Sequence, residues 1–202
     1  MLLALAGSTG LAGQANAQLA PGRSGMSTTD RLDNVQAYRD LRAFGVCYAR
    51  TQRTDALALI GTTPDSREEM DTIRRRVSGE RSTCLFGGTN MRMSNVYMRG
   101  TIAEGLLRSG GVPETYRLPA PSPGAARTLH EAARCYTKGH GVTVQALLET
   151  QPGSREETAA VGALWNDFRP CIAGFRVRLN APWIRYLLAE ALLRLDPSAP
   201  RP

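Results

Sequence analysis

Pro64-Asp65-Ser66-Arg67-Glu68-Glu69 returns later in the chain as Pro152-Gly153-Ser154-Arg155-Glu156-Glu157. Each phrase reads as a stop followed by a start. The proline ends a helix. Two residues on, Ser-x-x-Glu is a capping box: the hydroxyl accepts from a first-turn amide and the glutamate reaches back to the serine's own amide. A second reading assigns Arg67 and Arg155 to an anionic ligand. The stop–start reading already accounts for the proline, the serine and the second glutamate.

The echo extends outward from this phrase. Cys47-Tyr48 answers to Cys135-Tyr136, Cys84 to Cys171, and Arg99, Ala103-Glu104, Leu106-Leu107 and Arg108 to Arg185, Ala189-Glu190, Leu192-Leu193 and Arg194, at an offset that drifts only from 88 to 86 residues. A near-constant offset predicts a duplicated structural unit. Apolar spacing within each stretch is helical, not alternating. Tyr38, Leu41, Phe44 and Tyr48 mark a first helix, echoed by Leu129, Ala132/Ala133 and Tyr136. A short second helix follows at Asp55 to Ile60 and at Val144 to Leu148. The third runs through Met70, Ile73 and Val77, and through Val161, Leu164, Trp165 and Phe168. The fourth starts at Ser94 and Asn180, both good N-caps, with Pro182 in the first turn, where its missing amide is harmless. Trp183 to Leu193 is apolar on most faces, which predicts a central position in a bundle. Tyr48, Tyr97, Tyr136 and Trp183 fall at core spacing. The expected fold is therefore all-α: an internally duplicated helical repeat of two disulfide-stapled units, with about four helices each.

The expected domain boundaries are residues 34–109 for the first repeat, 110–126 for a linker holding Pro113, Pro119, Pro121 and Pro123, 127–195 for the second repeat, and 196–202 for a proline-rich tail. Gly87-Gly88 reads as a turn. Met1 to Leu11 is apolar, and Ala15-Asn16-Ala17 fits a cleavage pattern before Gln18, so residues 1–17 read as a signal peptide and 18–33 as a loose leader. No Lys or Arg precedes Arg23, so the basic start of such a signal is missing. No cysteine occurs before Cys47, which argues against a lipoprotein. These features predict a periplasmic or secreted protein with no membrane span after signal removal. In an oxidising compartment four cysteines read as disulfides. The echo selects one of the three connectivities, Cys47–Cys84 with Cys135–Cys171. Metal ligation is the weaker reading, since no Cys-x-x-Cys exists and only two histidines are present.

The net charge is +7, and Lys138 is the only lysine. A basic exported chain suits an anionic envelope component or another envelope protein as partner. An arginine-rich composition spread along the chain is the competing explanation, and with no run of five like charges no nucleic-acid partner is expected. Arg92, Arg99, Arg178 and Arg185 recur at matching places and are the candidate ligand-binding residues, on the rim of a groove between the repeats. The alternative makes them arginines snorkelling at helix edges. Glu104 and Glu190 are the weak catalytic candidates, because paired carboxylates can hydrolyse glycosides. The competing assignment pairs each with its own helix, Glu104 with Arg108 and Glu190 with Arg194. His130 and His140 lack counterparts in the first repeat, and His140 reads as a turn residue. No cofactor motif emerges. The function expected is a non-catalytic binding or interaction role. The alternatives are a hydrolase of acidic or glycan substrates and a structural envelope protein.

Overall fold

A computed structural model describes residues 34–77, 84 and 94–195. The expected signal, leader and tail, together with Arg92 and Gly87-Gly88, lie outside those residues. Seven α-helices and no strand occur among the described residues: α1 (Val35–Thr51), α2 (Arg53–Gly61), α3 (Arg67–Thr72), α4 (Asn95–Arg108), α5 (Leu129–Glu149), α6 (Arg155–Phe168) and α7 (Ala181–Arg194). The fold is all-α.

Helices α4 and α7 pack on each other, α1 covers α4, and α5 covers α7. Side chains from before and after the linker merge in one core. From Val96 to Leu106 every residue of α4 is buried, and so is nearly all of α7. Helices with no polar face have no stable place except the centre. The α1–α4 approach depends on glycine. A Cβ on Gly105 would overlap the backbone of Gly45, and one on Gly45 would overlap Thr101.

Both cysteine pairs are bonded as expected, Cys47–Cys84 and Cys135–Cys171, with Cα–Cα separations of 5.7 and 5.9 Å. Both serine caps form: Ser66 Oγ accepts from the Glu69 amide and Ser154 Oγ from the Glu157 amide, each at 3.1 Å. The glutamates reach one residue further back than expected, accepting from the amides of Asp65 and Gly153 at 2.9 and 2.7 Å. Those two residues have φ of 61° and 73°, which turns the amide toward the helix start; the second position has the glycine that such a φ favours.

Other expectations need correction. Ser94 precedes α4 but makes no side-chain cap bond, whereas Asn180 accepts from the Trp183 amide. The second helix expected at Val144 to Leu148 is the last part of α5. That helix is interrupted only at His140 (φ −128°, ψ 26°), much as Gln52 (φ −126°, ψ 45°) separates α1 from α2. Met70, one of the apolar positions that mark the third helix, is 49 % exposed. The third helix of the first stretch also changes character. After Thr72 it widens into a π-turn, Ile73–Val77, while α6 stays regular and closes in a 3₁₀ turn at Arg169–Ile172. Eighteen positions separate Ser66 from Cys84 and seventeen separate Ser154 from Cys171. A π-turn takes up one extra residue without breaking the helix. The Arg76 carbonyl within it accepts from the Tyr48 hydroxyl at 2.9 Å.

The proline-rich linker is tied down. The Leu118 amide donates to the Arg194 carbonyl at 2.6 Å, Arg117 donates to the Leu195 carbonyl at 2.8 Å, and Arg134 donates to the Pro119 carbonyl at 3.2 Å.

Two outcomes follow for stability. Replacing Cys47 and Cys84 together by alanine opens a loop with sequence separation 37, and chemical denaturation should show a loss of about 4 kcal/mol on the chain-entropy model. Gly105→Ala should cost about 3 kcal/mol by overpacking, read in the same assay, whereas Gly162→Ala on the open face of α6 should not destabilise, because nothing lies within reach of its Cβ.

Candidate functional site

The residues singled out from the sequence meet inside the protein. Arg99 on α4 and Arg185 on α7 are both 0 % exposed, so neither stands on the rim of a groove, as the groove reading required. Each emerges from a helix with no polar face, and its guanidinium is surrounded by acceptors. Arg99 donates to the carbonyls of Leu59, Ile60 and Thr62 at 2.8–2.9 Å, to Thr62 Oγ1 at 2.9 Å and to Glu69 Oε1 at 3.1 Å. Arg185 donates to the carbonyls of Leu147, Leu148 and Thr150 at 2.7–3.4 Å, to Thr150 Oγ1 at 3.3 Å and to Glu157 Oε1 at 2.9 Å. These carbonyls lie where α2 and α5 end and the helical ladder runs out of amides; those of Leu59 and Leu147 also accept from the Thr62 and Thr150 amides at 3.1 Å. The glutamates are those of the two capping boxes. One guanidinium thus joins the end of one helix to the start of the next, and the arrangement occurs twice.

The remaining valence of each arginine crosses the molecule. Arg99 Nε lies 2.8 Å from Glu190 Oε1. Arg185 holds Glu104 through two parallel bonds of 2.9 Å each, the bidentate geometry that makes arginine the strong partner of a carboxylate. Glu104 and Glu190 are 1 % and 3 % exposed. Each also carries the expected contact within its own helix, Arg108 at 3.4 Å and Arg194 at 3.2 Å. A third partner comes from the outer helices: Arg42 Nε of α1 reaches Glu104 at 2.8 Å, and His130 Nδ1, in the first turn of α5, reaches Glu190 at 2.7 Å. His130 therefore has a counterpart after all, an arginine.

Burial alone would raise the Glu104 carboxyl; the bonds and charge of Arg185, with Arg42 behind them, overcome it and hold the group below its usual value. For Glu190 burial again opposes ionisation, and the charges of Arg99 and His130 hold it well below the carboxylate range. Both carboxylates are ionised and enclosed by cations. A glycosidase pair needs one carboxyl kept protonated and both facing substrate, and these have neither property. The geometry is that of structural ion pairs.

Sequence reasoning placed Glu69 and Glu157 as caps only and passed over Arg42, Thr62, Thr150 and Tyr38, whose hydroxyl donates to Glu157 Oε1 at 2.6 Å. The echo held the signal for three of them. Thr62 and Thr150 stand at the common offset, as do Arg42 and His130. Tyr38 has no such partner. Arg178 is exposed, as are Arg67 and Arg155. Among the described residues no group of three or more His, Cys, Asp or Glu is placed to hold a metal ion.

The chain matches no protein-family model, no curated protein and no solved structure.

Removing one member of a buried pair strands the other. Arg185→Met and Arg99→Met should each lose about 3–5 kcal/mol in chemical denaturation. Glu104 and Glu190 titrate below their unfolded values, so their stabilisation is full above the unfolded carboxylate range and is lost as pH falls through the folded values. Denaturation midpoints should therefore be steady down to about pH 5 and drop below about pH 4. A midpoint that holds at pH 3 would contradict the assignment.

Proposed function

We propose that this is an exported, internally duplicated helical protein with a non-catalytic binding role, and that its partner is anionic. The observation that carries the reading is where the charge lies. Among the described residues the buried Glu69, Glu104, Glu157 and Glu190 are set against the buried Arg99, Arg185, Arg194 and His130. These nearly balance, so the net charge of +7 is carried by the other side chains. A surface of that sign attracts anionic partners before any contact forms. Two disulfides fit an oxidising compartment, and no helix among the described residues is long and apolar enough to cross a membrane. The matched ion networks support descent of the two stretches from one unit.

The hydrolase reading has less in its favour. It needs Glu104 and Glu190 beside a substrate, and both side chains are packed away from solvent. An envelope-structural role remains the competing outcome.

The full chain should adsorb to anionic vesicles or to heparin at low ionic strength and be released by salt, because exposed charges are screened over about 10 Å at 0.1 M. Retention on no polyanion at low ionic strength would overturn the reading in favour of the structural one.

A further inference from the structure

Building on the anionic-partner reading, we propose that the exposed face of α3 and its π-turn is the binding surface, and that it docks on an anionic phospholipid bilayer. The argument begins with the extra residue. Between the capping serine and the cysteine, the first stretch is one residue longer than the second, and the π-turn Ile73–Val77 absorbs it. This turn presents Arg74, Arg75 and Arg76 to solvent in succession. The matching turn of α6 exposes Gly162 and Ala163 and buries Leu164, as the π-turn buries Val77. That turn of α6 thus does the same packing work with no arginine in it. The fold does not call for Arg74 and Arg75, so their presence needs another cause.

Their local partners neutralise them only in part. Arg74 meets Asp71 only at 3.9 Å and is 72 % exposed. Arg75 Nε donates to the Asp71 carbonyl at 3.3 Å, within its own helix. Among the described residues only Arg76 has a close acidic partner, Asp55 at 2.7 Å. Glu68 is exposed beside them, and Arg67 opposes it. Arg67, Met70 and Arg74 follow the i, i+3, i+7 spacing of one helix face. Met70 is among the few large apolar side chains left in solvent, 49 % exposed. A thioether between guanidiniums distinguishes the possible polyanions. An acidic polysaccharide offers anions and no apolar layer. A bilayer surface offers phosphates, which guanidinium binds bidentately, above an acyl layer that accepts the methionine.

The test uses the full chain in co-sedimentation with phosphatidylcholine vesicles, with and without phosphatidylglycerol, and heparin chromatography in parallel. The wild type should bind only the phosphatidylglycerol vesicles. Arg74→Gln/Arg75→Gln should bind them at least about tenfold more weakly, since each basic residue near an anionic surface contributes severalfold, while keeping its thermal midpoint. Met70→Ser should weaken vesicle binding and leave heparin elution unchanged. Arg155→Gln/Arg169→Gln, which removes two exposed arginines of the second stretch, should bind as wild type. If the wild type binds vesicles and Arg74→Gln/Arg75→Gln binds equally well, the proposed surface is wrong and the anionic-partner reading stands. Binding to heparin without binding to vesicles overturns the bilayer. Binding to neither removes the underlying reading as well.

Discussion

The crossed pairs Arg99–Glu190 and Arg185–Glu104 are the constraint on which the rest of the structure depends. Four ions lie in a helical core that water does not reach. Isolated, any one of them would be prohibitively costly there; enclosed by hydrogen bonds they are tolerated. Each arginine satisfies carbonyls at the end of one helix, the carboxylate at the start of the next, and a carboxylate from the other stretch. Helix ends, helix starts and the meeting of the two stretches are therefore governed by the same two side chains. Packing alone leaves a helix free to rotate or slide at small cost. The bidentate Arg185–Glu104 pair, its guanidinium surrounded by seven acceptor atoms, does not, which gives the α4–α7 interface a single register.

The parts of this design visible in the sequence were those with local causes. Helix starts were legible because a serine and a glutamate three residues apart have one strong use. The cysteine pairing was legible because the spacing recurs. The central place of α7 was legible because Trp183 to Leu193 has no polar face. What could not be read was where the long side chains end. An arginine in an apolar helix has two outcomes, reaching out to solvent or reaching in to a prepared set of acceptors. The choice between them depends on residues some eighty positions away, such as Glu104 for Arg185. Arg99 and Arg185 were placed on the surface for that reason. The π-turn was hidden in a different way. It appears in the sequence only as a drift of one in the offset, which a loop of altered length would equally explain.

The two stretches differ where they are least constrained. Buried acceptors are matched almost atom for atom, while Arg42 is replaced by His130 and the arginines of the π-turn by Gly162 and Ala163. The outer helices thus tolerate different chemistry around a conserved pattern of contacts. Differences of this kind are where the halves of such a chain are free to take separate duties.

The crossing of the ion pairs also bears on how the chain assembles. The first stretch contains every residue needed for its disulfide and its capping box. It cannot complete its interior. Glu104 has no Arg185 and Arg99 has no Glu190 until α7, the last helix described, has emerged. Because α7 follows every other described helix along the chain, the charges that neutralise Arg99 and Glu104 arrive after the helices that need them. Closure of the first stretch's interior is thereby tied to the presence of α7.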